Sequence, residues 1–157
     1  MKIEIERKFL LASDGWRTKV QSSERIRDGL LFWHEKRKAQ VRIIGNRATL
    51  TIKTSHVEGA REEFEYDIPI ADAERLIEFC GEDVLEKLRN HVQHDMLVWE
   101  VDEYDGFVSG VALAEVELES LDQPVELPDW VGPEVTQDPA FRKVNLLRAR
   151  QRGQAEG

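Results

Sequence analysis

The stretch Lys2-Ile3-Glu4-Ile5-Glu6-Arg7-Lys8-Phe9-Leu10-Leu11 governs how the rest of the chain is read. Successive side chains of a strand point to opposite sides, so Ile3, Ile5 and Phe9 take one face and Glu4, Glu6 and Lys8 the other. An ordinary half-buried strand scatters mixed polar groups over its outer face. Here one face is charged at consecutive positions, and the habit recurs downstream. Arg61, Glu63 and Glu65 share a face, as do Lys87 and Arg89, Glu100 and Asp102, and Glu115 and Glu117. Arg42 and Lys53 sit at polar positions of their own strands. The opposite faces are apolar (Val41 and Ile43, Leu50 and Ile52, Phe64 and Tyr66, Trp99 and Val101, Val116 and Leu118) and must be covered, by helices packed outside.

Outward from that stretch, the spacing predicts about eight strands: 2–11, 24–34, 39–44, 47–54, 61–69, 83–94, 96–104 and 111–120. Gly45-Asn46 reads as a hairpin turn, because both residue types tolerate positive φ. A brief helix is expected after Ser13-Asp14-Gly15, a second over 71–80 stopped by Gly81, and a last one over 139–150 behind Asp138-Pro139. The segment 122–139 reads as loop, and 151–157 as a frayed polar tail. Short connections make the pairing mostly antiparallel. The fold class is α+β, in one domain over residues 1–150.

Composition narrows the function. The chain has 157 residues, 31 acidic and 22 basic, for a formal charge of -9. That balance disfavours a nucleic acid polymer or an anionic membrane as partner, since both need a basic surface. A hydrophobic content of 41% supports a folded core. No apolar run approaches the ~20 residues of a membrane span, and the charged N-terminus does not read as a signal peptide. Cys80 is the single cysteine, which excludes an internal disulfide. A cytoplasmic location is expected.

The charged faces admit two arrangements. They are either the solvated outside of a sandwich or the inner wall of a closed barrel, and eight strands leave room for one small ligand. In the second case six cations (Lys8, Arg42, Lys53, Arg61, Lys87, Arg89) and eight carboxylates would share a lumen. Such cations suit a polyanion, and crowded carboxylates suit a hard divalent metal.

The sequence Glu4-Ile5-Glu6-Arg7-Lys8 resembles the Glu-x-Glu-x-Lys signature of the CYTH superfamily, the triphosphate tunnel metalloenzymes. The family's other elements follow in order. They are Arg42 in Val-Arg-Ile, Lys53 closing Thr49-Leu50-Thr51-Ile52-Lys53, Arg61-Glu62-Glu63-Phe64-Glu65, and Glu86-Lys87-Leu88-Arg89. Trp99-Glu100-Val101-Asp102, Glu115-Val116-Glu117 and Pro133-Glu134-Val135-Thr136-Gln137-Asp138 complete the set, so the likeness covers about 2–149. It implies an eight-stranded antiparallel closed β-barrel, the tunnel. It also implies that Lys8, Arg42, Lys53, Arg61, Lys87 and Arg89 bind phosphates. The implied metal ligands are Glu4, Glu6, Glu63, Glu65, Asp102, Glu115 and Glu117, with Glu100 in support and Mg2+ or Mn2+ as cofactor. Glu4, Glu6 and Lys8 are the candidate catalytic residues, either carboxylate being able to position an attacking water. Family members are often dimers, so the resemblance leaves a homodimer open.

Departures from the family pattern bear on the substrate. The third strand reads Arg42-Ile43-Ile44 where Arg-x-Arg is common, and no spacing shows that Arg27 or Arg47 compensates. Arg27-Asp28-Gly29-Leu30-Leu31 lacks the family's Gln and Tyr, and Phe141-Arg142-Lys143 replaces a common Tyr-x-Asn. His91 and His94 fall on opposite faces of a strand, His34 and His56 read as surface residues, and Cys80 as a small core residue. The four tryptophans read as core or mouth packing. The expected activity is metal-dependent hydrolysis of a triphosphate, inorganic triphosphate first. The alternatives are a class IV-type adenylate cyclase, a thiamine or nucleoside triphosphatase, and, outside the enzymes, a weakly catalytic polyphosphate or phosphometabolite binding module.

Overall fold

Tight turns set the antiparallel pairing. In a computed structural model, which describes residues 1–54 and 57–155, Gly45 takes φ 57° between β3 (Arg37–Ile44) and β4 (Arg47–Thr54). Glu35 and Asp95 take φ 47° and 52° in the turns that join β2 (Val20–His34) to β3 and β6 (Val84–His94) to β7 (Leu97–Tyr104). The remaining elements are β1 (Lys2–Leu11), β5 (Ala60–Asp67), α1 (Ile70–Cys80), β8 (Ala112–Glu117), β9 (Val131–Glu134) and α2 (Lys143–Ala155).

The sheet runs β5-β4-β3-β2-β6-β7-β8-β1, and β1 then pairs with β5 to close it. Lys2–Ile5 take β5 as partner and Glu6–Phe9 take β8. The result is the expected eight-stranded antiparallel barrel, with both α-helices outside it. Phe9 pairs with both Ala114 and Glu134, so β9 lies along the edge of β1 that β5 leaves after Ile5.

That ninth strand corrects the expectation of loop throughout 122–139. Val131-Gly132-Pro133-Glu134 shows no alternation, and Pro133 fits only an edge strand because it lacks an N–H. A Cβ on Gly132 would come within 3.2 Å of the Leu10 carbonyl oxygen, so the close approach itself requires glycine. The first expected helix is a single 3-10 turn at Arg17–Lys19. At the C-terminal end, the Asp138 carboxylate accepts from Ala140 N–H at 2.9 Å and caps a 3-10 turn, Pro139–Phe141. Arg142 is extended, so α2 begins only at Lys143 and then runs through Ala155. β2 starts four residues early, because its polar end pairs with β6 where no hydrophobic pattern announces it.

Burial explains which face points inward. Phe9, Trp16, Trp99, Val116 and Trp130 form an apolar cluster on the outer side of β1, β7 and β8. Val41, Ile43 and Ala48 pack under Ala73 and Cys80 of α1. Gly29 permits that packing, since a Cβ there would lie 2.7 Å from Cys80 Sγ. A third cluster, Leu85, Tyr104 and Leu113 with Leu147 of α2, shares the strand face of Lys87, Asp102 and Glu115. It therefore fills one end of the barrel interior. Among the described residues no helix is long and apolar enough to cross a membrane.

Candidate active site

The strand register brings the charged faces together. Glu4 stands opposite Arg61, Glu6 opposite Glu117, Lys8 opposite Glu115, Lys53 opposite Glu63, Arg89 opposite Asp102 and Glu100 opposite Glu115. One lumenal cavity of about 180 Å³ is lined by Glu4, Glu6, Glu63, Glu65, Glu100, Glu115 and Glu117, together with Arg42, Lys53 and Arg89. Lys8 and Arg61 line a second cavity of about 220 Å³, at the mouth beside α2. The solvated-sandwich arrangement is thereby excluded.

Most of these groups are already ion-paired. Glu4 accepts from Lys53 at 3.0 Å and from Arg61, whose guanidinium also reaches Glu6 at 3.5 Å. Lys53 lies 2.6 Å from Glu63. Arg42 donates to both oxygens of Asp28, at 2.6 and 2.8 Å. Arg89 does the same to Asp102 at 2.8 Å and reaches Glu100 at 2.6 Å, while Lys87 also donates to Asp102. Lys8 lies 3.5 Å from Glu115.

The electrostatics follow from burial working against these partners. Burial alone would raise the Glu4 carboxyl, but the charges of Lys53 and Arg61 overcome it and hold Glu4 well below the usual carboxylate range. Asp28 is held down in the same way by Arg42, and Asp102 by Lys87 and Arg89. Glu115 is driven low, against its burial, by Lys143, Lys8, Lys87 and Arg89. Glu100 goes the other way: burial and then its neighbours Glu115 and Asp102 outweigh Arg89 and raise it. Burial and the facing charge of Lys143 bring Lys87 down to about 7 despite Asp102.

The metal-ligand expectation can be weighed against these contacts. Among the described residues no three acidic or histidine side chains converge into a ready-made site. The carboxylates of Glu4 and Asp102 are saturated by protein cations, and Asp102 and Lys87 lie outside the residues lining the lumenal cavity. Glu115 differs, for its Oε1 is buried without a hydrogen-bond donor. With Glu100 opposite it and Glu117 and Glu6 adjoining, the wall offers only hard oxygen donors, which suits Mg2+ or Mn2+.

Ile44 opens onto a wider mouth of about 710 Å³, together with Arg25, Arg47 and Glu65. Arg27 turns outward to Glu74 of α1 at 2.5 Å, and Arg47 pairs with Asp67 at 3.0 Å. Neither lines the lumenal cavity, so neither replaces the arginine that Ile44 displaces. His91 bonds Ser22, His94 lies near Glu126, His34 is exposed, and His56 is outside the described residues. Cys80, the last residue of α1, is buried against the sheet, as expected of a core residue. Three tryptophans are core, and Trp33 lines the mouth beside α2.

Sequence reasoning missed Asp28, Lys38 and Lys143. Lys38 lies four residues before Arg42 on β3, so alternation already placed it on the same face. Asp28 stands directly opposite Arg42. Lys143 carried no periodic signal, because it enters the tunnel from the first position of a helix.

Comparison with known proteins agrees with this architecture. The profile of the CYTH domain matches residues 2–148. The chain is 35% identical over 146 residues to an inorganic triphosphatase of Acetivibrio thermocellus, covering 92% of this chain and 93% of that protein. It is 30% identical to the inorganic triphosphatase NE1496, whose crystal structure superposes with a TM-score of 0.67 over 94% of this chain and 95% of that one. HpAC1 from Hippeastrum, named for adenylyl cyclase and described as having a dominant triphosphatase activity, shares the fold alone. It is 15% identical, with a TM-score of 0.53 over 76% of this chain and 80% of its own. With its signature residues gathered on the inner wall of a closed eight-stranded barrel, the chain belongs to the CYTH family.

Proposed function

We propose that this chain hydrolyses inorganic triphosphate within the tunnel, using Mg2+ or Mn2+. The observation that carries the proposal is a lumenal cavity walled by cations and by carboxylates, one of which, Glu115, has a buried oxygen that accepts no hydrogen bond among the described residues and has only the Lys8 ammonium at 3.5 Å. Both triphosphatase relatives cover nearly the whole chain, which supports the same substrate.

Phosphoryl transfer depends on positioning and charge neutralisation more than on covalent chemistry. Arg42, Lys53, Arg61 and Arg89 are assigned to the phosphate oxygens, with Lys8 at the mouth beside α2. Glu6, Glu115 and Glu117, with Glu63 and Glu65, would hold the divalent cation. When bound, it neutralises phosphate charge and polarises the phosphoryl oxygens. Glu4 stays ionised between Lys53 and Arg61, which makes it a positioning group and a poor base. Glu6, held only by a 3.5 Å contact to Arg61, is freer to orient the attacking water. Water adds to the terminal phosphorus, the bond to the bridging oxygen breaks, and phosphate and pyrophosphate leave. Lys87 and Asp102, behind the wall, fix Arg89. We also place the protein in the cytoplasm, acting on a small soluble anion.

The test is phosphate release from triphosphate, ATP and thiamine triphosphate with Mg2+, Mn2+ or EDTA, beside a cyclic AMP assay. Turnover should be greatest with triphosphate and absent in EDTA. Cyclic AMP as the main product from ATP would move the chain to the cyclases, and binding without turnover of any substrate would make it a binding module.

A further inference from the structure

Two ammonium groups in the tunnel stand apart from the rest. Lys38 lies on the inner face of β3, directly opposite Lys53 of β4. Lys143 enters from the start of α2. Both line the 220 Å³ mouth cavity and a small pocket of about 20 Å³ that adjoins it under α2. The six cations expected from the sequence all have carboxylate partners. Among the described residues, neither Lys38 nor Lys143 has an ion-pair or hydrogen-bond partner.

The carboxylates that face them are committed elsewhere. Asp28 gives both oxygens to Arg42, and Glu115 lies between Lys8 and Arg89 at 3.5 and 3.6 Å. Burial, followed by the charges of Lys143, Lys53 and Arg61, pushes Lys38 well below the ordinary lysine range. Burial would lower Lys143 too, but Glu115 and Asp28 more than offset it and keep it charged. Both side chains are half-buried and line the same two cavities, with no direct anionic partner to take up their N–H donors. An incoming phosphate supplies three acceptor oxygens for them.

We propose that Lys38 and Lys143 form an anion subsite at the α2 end of the tunnel, holding the phosphate group of the chain nearest that mouth. This inference rests on the triphosphate assignment above. It shifts the bound chain away from the Ile44 mouth, where the arginine contact is missing, toward α2, where two cations await a partner. The subsite binds the phosphate and takes no part in bond cleavage.

The experiment measures affinity and turnover separately. Wild type, Lys38→Met, Lys143→Met and the double variant are titrated calorimetrically with inorganic triphosphate, pyrophosphate and phosphate in EDTA. Lys19→Met, on the exposed 3-10 turn, controls for net charge. Each single tunnel variant should weaken triphosphate binding about tenfold, the worth of a lost charged hydrogen bond, and Lys19→Met should not. Without ligand, Lys38→Met should melt at or above the wild-type temperature, because it removes a half-buried charge that faces Lys53, and a structural Lys38 would give the reverse; Lys143→Met should melt slightly below wild type, because Glu115 and Asp28 stabilise that charge. Triphosphate affinities within twofold of wild type, or a lowered melting temperature with unchanged affinity, overturn the subsite and leave the hydrolysis assignment intact. Lysine-dependent binding without metal-dependent phosphate release keeps the subsite and defeats the hydrolase. No triphosphate binding by wild type, in EDTA or with Mg2+ present, defeats both.

Discussion

Two parts of the tunnel wall use the same residue types for opposite ends. On β6 and β7, Lys87 and Arg89 share Asp102, which is fully buried and accepts from both. At the α2 end, Lys38 and Lys143 face the lumen without a carboxylate of their own. The first group is complete as folded, and the second is complete only with an anion. Lys87 and Arg89 have Asp102 within reach, while the residue opposite Lys38 is another cation, Lys53.

The strongest way to break the contrast is to unbalance the complete side. Asp102→Asn leaves buried Lys87 without its counter-charge and Arg89 with only Glu100 and Glu115, and should lower stability by roughly 3–5 kcal/mol, read from urea unfolding. A loss below about 1 kcal/mol would show that the β6–β7 group is no more structural than the α2 end. A middle case is Glu4, which ties Lys53 to Arg61. Its carboxyl is depressed on folding, so its stabilisation is present above the ordinary carboxylate pKa of 4.5 and drains away as pH falls below it. Glu4→Gln should be less stable than wild type at pH 7 by roughly 1–3 kcal/mol, with the gap closing between pH 5 and 2. A gap independent of pH would remove the charge from that account. The smallest effect sharpens the other mouth. Ile44→Arg restores an inward cation where Arg47 and Arg25 only line the rim, and should lower KM for triphosphate about threefold with little change in stability.

The barrel was readable from the sequence because charge alternation has period two and continues on nearly every strand. Glu4, Glu6 and Lys8 declare an inner face even though a wet interior reverses the usual pattern. Glu4, Glu6, Arg42, Lys53, Glu63 and Glu65 fell on the lumenal side by alternation, whereas Lys38 lay just before the expected start of its strand at residue 39. Lys87 and Asp102 fell on the correct face, but alternation says nothing about depth, and they sit behind the cavity. Lys143, noted only as a departure from the family's Tyr-x-Asn, was not expected in the tunnel for a different reason. A helix that contributes only its first residue to a site leaves no repeat to read, and the turn at Pro139–Phe141 delays that residue past the apparent start signal. β9 was hidden by Pro133 and Gly132, residues that ordinarily argue against a strand and are tolerated at this edge.

The first strand has a consequence for how the protein is made. β2 to β5 and β6 to β8 are joined by successive hairpins that can assemble as they leave the ribosome. β1 is synthesised before all of its partners, which are residues 60–63, 114–117 and 131–134. Its pairing with β8 and β9 must wait for the last third of the chain, and that docking is a long-range step of the kind that slows folding. Glu4, Glu6 and Lys8 reach the interior only at that moment. The charged wall of the tunnel is therefore incomplete until closure, and the same event seals the two open sheet edges against aggregation.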